Sequence, residues 1–193
     1  MVSGTIPDAV GRIPVNAFLA AAGVLALAVS GLFGGLEPVR ADIPRVAAAT
    51  VIEGGPWRVT VTHARLYDDL PPLRLAKPGD RWLLILATVE VTADESRNDL
   101  RDILRLPGVP GLLTREPAEL YLSRDSSIAG YLNPAMPERV GFFWEQAGES
   151  PPPTEVDVLV QGKTRRASSL TGHVGWLDLS GRAQVRLPVD DER

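Results

Sequence analysis

Arg81-Trp-Leu-Leu-Ile-Leu-Ala-Thr-Val-Glu-Val-Thr92 is the stretch that decides the fold. Trp82 to Ala87 is apolar without a break, and then Val89 and Val91 alternate with Thr88 and Glu90. A surface helix would repeat its apolar residues every three or four positions, whereas alternation with β-branched residues reads as strand. The run therefore fits a central strand, buried on both faces at one end and on one face at the other.

The same pattern recurs on either side. Toward the amino terminus, Lys77-Pro-Gly-Asp80 forms a turn, preceded by a loop rich in proline and charge, Tyr67-Asp-Asp-Leu-Pro-Pro72. Before it, Trp57, Val59 and Val61 alternate with Arg58, Thr60 and Thr62, a half-buried strand that follows the break Gly54-Gly55-Pro56. Val46 to Ile52 is a first apolar run. On the carboxyl side, Asn98 is placed to cap a short helix carrying Leu100, Ile103 and Leu104, closed by Pro107-Gly108. An irregular strand from Ile103 to Leu106 is the other reading. Pro107 to Pro117 is a loop.

Ala118 to Ser123 and Ser127 to Leu132 read as short strands about a turn at Arg124-Asp125. Glu138 to Gln146 places Val140, Phe142 and Trp144 on one face, and Glu155 to Gln161 places Val156, Val158 and Val160 inward. A turn is expected at Gly162-Lys163. Two final strands, Val174 to Leu179 and Ala183 to Val189, meet at Ser180-Gly181. About eight to ten short strands with turn chemistry between them predict an all-β antiparallel sandwich.

One segment stands outside this pattern. Residues 13–36, from Ile13 to Leu36, contain no charged side chain. A bilayer core roughly 30 Å thick takes about 20 mostly apolar residues in a helix. The segment predicts a single transmembrane signal anchor between a short tail at 1–12 and a linker at 37–45, which Pro38 and Pro44 stiffen. The sandwich then occupies 46–189 and a tail 190–193. A signal peptide has a basic start, a shorter apolar core and a small-residue cleavage site. Here the start carries Asp8 and Arg12, and the candidate cut after Ala41 has Arg40 inside it, so retention is the expectation. Arg12 on one side and Arg40 with Arg45 on the other nearly balance for orientation. Within the segment, Ala22, Ala26, Ser30 and Gly34 recur every four residues, a stripe that lets two helices approach closely.

Composition narrows the function. The chain has 193 residues, 20 basic and 24 acidic, for a net charge of −4. The charges are mixed, and nothing resembles a nucleic-acid patch. Cysteine is absent, which excludes disulfides, thiolate metal sites, a cysteine nucleophile and a lipid-bearing cysteine. Lys77 and Lys163 are the only lysines, and alanine, glycine, proline and valine abound, as in GC-rich bacteria.

Three segments together carry a family likeness. They are Trp57-Arg-Val-Thr-Val-Thr-His-Ala-Arg-Leu66, Lys77-Pro-Gly-Asp-Arg-Trp-Leu-Leu-Ile-Leu-Ala-Thr-Val-Glu-Val91 and Leu132-Asn-Pro-Ala-Met-Pro-Glu-Arg-Val-Gly-Phe-Phe-Trp-Glu145. The chain resembles the DUF4352-like, telokin-like immunoglobulin-type domains of exported proteins from actinobacteria and other Gram-positive bacteria. It departs from them in reading Val91-Thr-Ala-Asp where an asparagine motif is common, and in lacking the lipid-bearing cysteine. The resemblance implies an extracytoplasmic immunoglobulin-like sandwich used for binding or assembly, and it brings no catalytic residues with it.

The residues point the same way. His63 and His173 are the only histidines, and His63 continues the Trp57, Val59, Val61 face, which reads as a partly buried histidine rather than a metal ligand. Asp68-Asp69 reads as a solvated loop, and Ser126-Ser127 as turn capping. No Gly-x-Ser-x-Gly elbow or Walker-type loop occurs. Trp57, Trp82, Trp144 and Trp176 each lie on an expected strand and read as core, an exposed one being suited to stacking on a sugar. Arg165-Arg166 beside Lys163 is a small basic spot that reads first as a solvated turn, anionic polymer or lipid headgroups being the alternative partners.

The expectation is a membrane-anchored, non-enzymatic binding or accessory module of an envelope or transporter assembly, on the extracytoplasmic side, with no cofactor and no metal. A cell-wall glycan module and a metal-dependent enzyme are the alternatives. Sandwiches carry function on loops. The expected partner-binding residues are therefore Tyr67, Asp68, Asp69, Leu70 and Leu73 in one loop and Leu112 and Leu113 in the other. The partners expected are the membrane, an envelope protein and a second copy through the anchor, and no nucleic acid.

Overall fold

The computed structural model of the chain describes residues 42–192. The apolar run 13–36, with the helix-packing candidates Ala22, Ala26, Ser30 and Gly34, lies outside the described residues. Among those described, no helix is long and apolar enough to cross a membrane.

The described part is nearly all β. Nine strands follow in order: β1 (Arg45–Val46), β2 (Val51–Glu53), β3 (Trp57–Tyr67), β4 (Arg81–Val91), β5 (Leu104–Arg105), β6 (Glu119–Leu122), β7 (Glu138–Gln146), β8 (Glu155–Ala167) and β9 (Val174–Asp191). They form a curled sheet in the order β5-β8-β9-β3-β4-β7-β6, with β1 added to β9 and β2 to β3. One layer is β5, β8, β9 and β1; the other is β2, β3, β4, β7 and β6. β9 passes from the first layer to the second, because its last residues pair in parallel with β3, Ala64 opposite Val189. The two layers pack as a β-sandwich.

Period-two alternation aims one set of side chains from each strand inward. Val59, Leu83, Ile85, Val89, Val140, Phe142, Trp144, Val158 and Leu187 are among the residues of a single buried core. Each such Val, Leu, Ile or Phe contributes about 1.5–3 kcal/mol on burial. β4 behaves as its sequence requires. Leu83, Ile85, Ala87, Val89 and Val91 face the core, while Trp82 and Leu84 face outward into a second, smaller cluster with Phe143. That cluster explains why Trp82 to Ala87 is apolar on both faces.

Five expectations need correction. β8 does not turn at Gly162-Lys163 but continues to Ala167, and β9 runs through Ser180-Gly181 as one strand. The glycines there serve close approach, not reversal. A Cβ on Gly162 would stand 2.5 Å from the Gly54 carbonyl, and one on Gly181 would stand 2.6 Å from Ile43 Cδ1. The β8–β9 pairing absorbs the irregularity as register shifts. The apolar run from Val46 to Ile52 is two short strands, broken where Ala49 takes a positive φ of 61°. The segment after Asn98 is a 3-10 turn, Leu100–Asp102, whose first-turn boundary is Asp99. Ser127 to Leu132 forms no strand, only single bridges through Ile128 and Leu132.

Candidate functional site

The loop 106–118 is held against the end of β7. Leu113 N–H donates to Glu145 O at 3.0 Å, Ala118 N–H to Phe143 O at 2.7 Å, and Ala147 N–H to Gly111 O at 2.8 Å. Gln146 is fully buried, and its Nε2 donates to Pro110 O at 2.8 Å and to Pro151 O at 3.2 Å. Trp144 Nε1 donates to Arg115 O at 3.4 Å. These bonds replace the secondary structure that prolines 107, 110 and 117 deny the loop.

Three depressions adjoin on this loop. The first, about 580 Å³, runs along Arg105, Leu106, Val109, Leu112, Leu113 and Arg115. The second, about 540 Å³, shares Thr114 and Arg115 with it and adds Arg101 and Glu116. The third, about 370 Å³, shares Pro107 and Val109 and is walled by Pro151, Pro152 and Pro153. Two of the three arginines are committed. Arg101 Nη1 donates to Ala118 O at 2.6 Å and also to Pro117 O. Arg105 Nη2 donates to Glu116 Oε1 at 3.0 Å and lies 3.7 Å from Asp102 Oδ1. Arg115 is exposed, and its guanidinium has no ion pair or hydrogen bond among the described residues. Beside it, Leu113 is 47% exposed. Leu112 is half-buried and packs on the core. The arrangement offers an apolar wall with one free cation, suited to an apolar segment that carries a carboxylate.

The other expected loop is used differently. Tyr67, Leu70 and Leu73, with Leu75, pack on Trp82, Leu84 and Phe143 and cover the outer face of β4 and β7. Asp68 and Asp69 are exposed. Glu145 Oε1 accepts from Ala76 N–H at 2.5 Å, and Asp80 Oδ1 accepts from Gly148 N–H at 3.0 Å, so these strand carboxylates secure the loop and its neighbour. Glu53 and Glu90 both pair with Arg58.

His63 is exposed, contrary to the expectation of a partly buried residue. The cause is a register shift between Val61 and His63, after which Ala64 and Leu66 take over the core face. His173 lies in the turn between β8 and β9, next to Val174. His63 lies beside Ala64, which pairs with Val189. Fifteen residues of β9 separate Val174 from Val189, so the two histidines lie beside opposite ends of that strand. No group of three or more His, Cys, Asp or Glu side chains able to hold a metal occurs among the described residues.

A half-buried ionic cluster was not anticipated. Lys163 Nζ lies 2.6 Å from Asp99 Oδ2 and 2.7 Å from Asp102 Oδ2, and Arg97 pairs with Asp99. Lys163 and Arg97 both stand over the ring of fully buried Trp57. Burial disfavours the Asp99 carboxylate, but hydrogen bonds from Arg97 and Lys163 outweigh it and hold the group below its ordinary 3.8. Burial likewise disfavours the Lys163 ammonium, and the hydrogen bonds it donates to Asp102 and Asp99 outweigh it and raise the group above 10.5. The cluster ties the segment after β4 to β8 and is structural in geometry. Its sequence signal was the lone lysine beside Gly162, read above as part of a turn.

Neither a family model nor a curated protein matches the chain. A crystal structure of an uncharacterized β-sandwich protein from Clostridium difficile 630 is similar to it, at 11% identity over 79% of this chain and 99% of that one, with a TM-score of 0.43.

Proposed function

We propose that the protein is a single-pass, membrane-anchored, non-enzymatic binding module, its sandwich of the immunoglobulin type and on the extracytoplasmic side, acting within an envelope or transporter assembly. The observation that carries the binding role is the cleft on the loop 106–118, where exposed Leu113 and the unpaired Arg115 stand side by side on a loop pinned to β7. A rigid loop loses little conformational entropy on binding, which favours recognition by such a surface. The anchoring role rests on the uncharged run from Ile13 to Leu36. Purification of the full chain in mild detergent tests the binding role. A protein companion that co-purifies with the wild type and is lost with R115E supports it, and a companion-free monomer overturns it. Protease treatment of intact cells tests the topology, cleavage of the sandwich beside a protected cytoplasmic control being the expected result.

A second reading has one observation in its favour. Tyr131 is 67% exposed, and Asn98 Nδ2 donates to its hydroxyl at 3.3 Å. An exposed ring beside an amide suits stacking on a sugar. Binding to purified cell wall that Y131A abolishes would favour a glycan module.

A further inference from the structure

Over its first residues β8 is paired on one side only. Val189 N–H donates to Thr154 O at 2.9 Å, and Val156 and Val158 stand opposite Leu187 and Val185 of β9. Successive residues of an antiparallel strand turn their N–H and C=O to opposite sides. Thr154, Val156 and Val158 therefore bond to β9, and Glu155 and Asp157 aim their main-chain groups away from it. Farther along β8 that other side belongs to β5. Arg105 stands opposite Leu159, and Gln161 N–H donates to Ile103 O at 2.8 Å. In the same register β5 would bring residue 107 opposite Asp157 and residue 109 opposite Glu155. It stops short instead. Pro107 has no N–H, and Gly108, at a φ of 81°, turns the chain away. No hydrogen bond reaches the free-side N–H or C=O of Glu155 or Asp157 among the described residues.

The depression of about 370 Å³ lies along this bare edge. Residues 154–157 line it on the β8 side, and 107–110 and 151–153 line the rest. The two proline segments are fixed to each other, because the same Gln146 Nε2 donates to Pro110 O and to Pro151 O. Prolines offer no N–H to the edge, so its groups stay unmatched. Glu155 and Asp157 are two residues apart, about 6.6 Å, which is the repeat of an extended main chain. One extended segment thus meets both N–H and both C=O groups in ladder geometry.

The side chains around the edge select the segment. Directly opposed residues of an antiparallel pair lie on the same face. Val156 faces the core at 2% exposure, and Val109 packs on that core beside the depression. A residue opposite Val156 therefore fits when it is apolar. Glu155 and Asp157 lie on the outer face. Asp157 is bidentate to Arg186, whereas Glu155 approaches that guanidinium only to 4.0 Å. A residue opposite Glu155 therefore fits when it is basic, since opposite charges in register favour the pair.

We infer that this edge of β8 takes up an extended segment of a partner protein as an added antiparallel strand, with an apolar residue opposite Val156 followed by a basic residue opposite Glu155. The inference rests on the binding reading of the loop 106–118 and extends it to a depression that Arg115 does not line. The main chain of the segment supplies affinity, and its two side chains supply selectivity. The fixed proline segments keep the edge open in advance, which lowers the entropy lost on binding.

The test follows amide hydrogen exchange of the full chain in mild detergent, with the peptide acetyl-Thr-Thr-Val-Lys-Thr-amide as the probe. Its second threonine, its valine and its lysine come opposite Asp157, Val156 and Glu155. At millimolar peptide the amides of Glu155 and Asp157 are expected to exchange about tenfold more slowly. N-methylation of the second threonine and the lysine removes the two N–H groups that face β8, and is expected to weaken binding by about tenfold. Glutamate for the lysine of the probe, or E155K in the chain, is expected to weaken it by about threefold, and the two changes together to restore it. No slowing at millimolar peptide, or equal slowing by the N-methylated peptide, overturns the inference. Slowing at Glu155 and Asp157 that grows with protein concentration in the absence of peptide identifies a second copy as the occupant and also overturns it. R115E is expected to take the peptide as wild type does. A companion lost with R115E, beside a wild type that does not respond to the peptide, overturns the edge inference and leaves the binding role standing. Slowing by the peptide in a chain that purifies without a companion upholds the edge and overturns that role.

Discussion

The ammonium of Lys163 stands 5.6 Å from the centroid of the Trp57 ring. Trp57 is the first residue of β3 and Lys163 lies in β8, so the contact closes the sandwich across its two layers. Asp99 and Asp102 fix the ammonium there, and Trp57 Nε1 donates to Gln161 O at 2.9 Å on the same strand as the lysine. An aromatic ring, a cation and two carboxylates from three parts of the chain thus share one corner of the fold.

Replacing Lys163 is expected to leave two carboxylates without their shared cation. K163M should lower unfolding stability by about 1–3 kcal/mol, the cost of stranding a hydrogen-bonded partner in a half-buried setting. K163R, which retains the charge, should lose less. Urea titration followed by tryptophan fluorescence measures both.

The same cluster sets a pH dependence. The folded value of Asp99 lies below its ordinary 3.8, so the unfolded chain binds more protons as pH falls. Its stabilisation is present above about pH 4 and is lost as pH drops through the folded value. The folded value of Lys163 lies above 10.5, so its stabilisation is present below that pH and is lost as pH rises through the folded value. Urea midpoints are expected to fall at the acid end from Asp99 and at the alkaline end from Lys163, and K163M should flatten both limbs.

Gly55 is expected to tolerate no side chain. Its φ is +84°, and a Cβ would stand 2.1 Å from the Lys163 carbonyl oxygen. G55A should cost more than about 2 kcal/mol. G130A, at an ordinary φ with nothing within 4 Å, should change stability by less than about 0.5 kcal/mol. Thermal melts of the two variants provide the comparison.

Leu73 is expected to matter locally. It is half-buried on the Trp82–Phe143 pair, whose rings meet edge to face at 6.3 Å. L73S should release the loop between β3 and β4 at a cost of about 1–2 kcal/mol. Limited proteolysis should then cut near Arg74 and Lys77 well before the sandwich unfolds.

Arg115 is expected to be dispensable for folding. R115E should leave the melting temperature within a degree or two of wild type, since an exposed, unpaired side chain contributes little to stability. Loss of the co-purifying companion at unchanged melting temperature would separate a binding role from a structural one.

Legibility varied with the range of the interaction. β4 and β7 match their expected bounds to within a residue, because alternation is a local property written in consecutive side chains. Gln146 was readable too, as the next inward position after Val140, Phe142 and Trp144, but its two acceptors lie on loops no pattern could join to it. The turn at Gly162 failed because glycine has two uses, reversal of the chain and close approach of another backbone, and only the position of Gly54 decides between them. Leu70 and Leu73 looked available to a partner because a proline-rich loop with leucines reads the same whether it faces water or Trp82.

By itself the sequence determined the class of fold, the inward face of most strands and the separateness of the uncharged run near the start, since each follows from the order of side chains along a few consecutive residues. Tertiary structure decided which loop keeps an open cleft, that β8 and β9 stay paired past Gly162 as far as Ala167 and Val174, and that Lys163 is held by Asp99 and Asp102. Those outcomes depend on residues some 60 positions apart in sequence that meet only when the layers close.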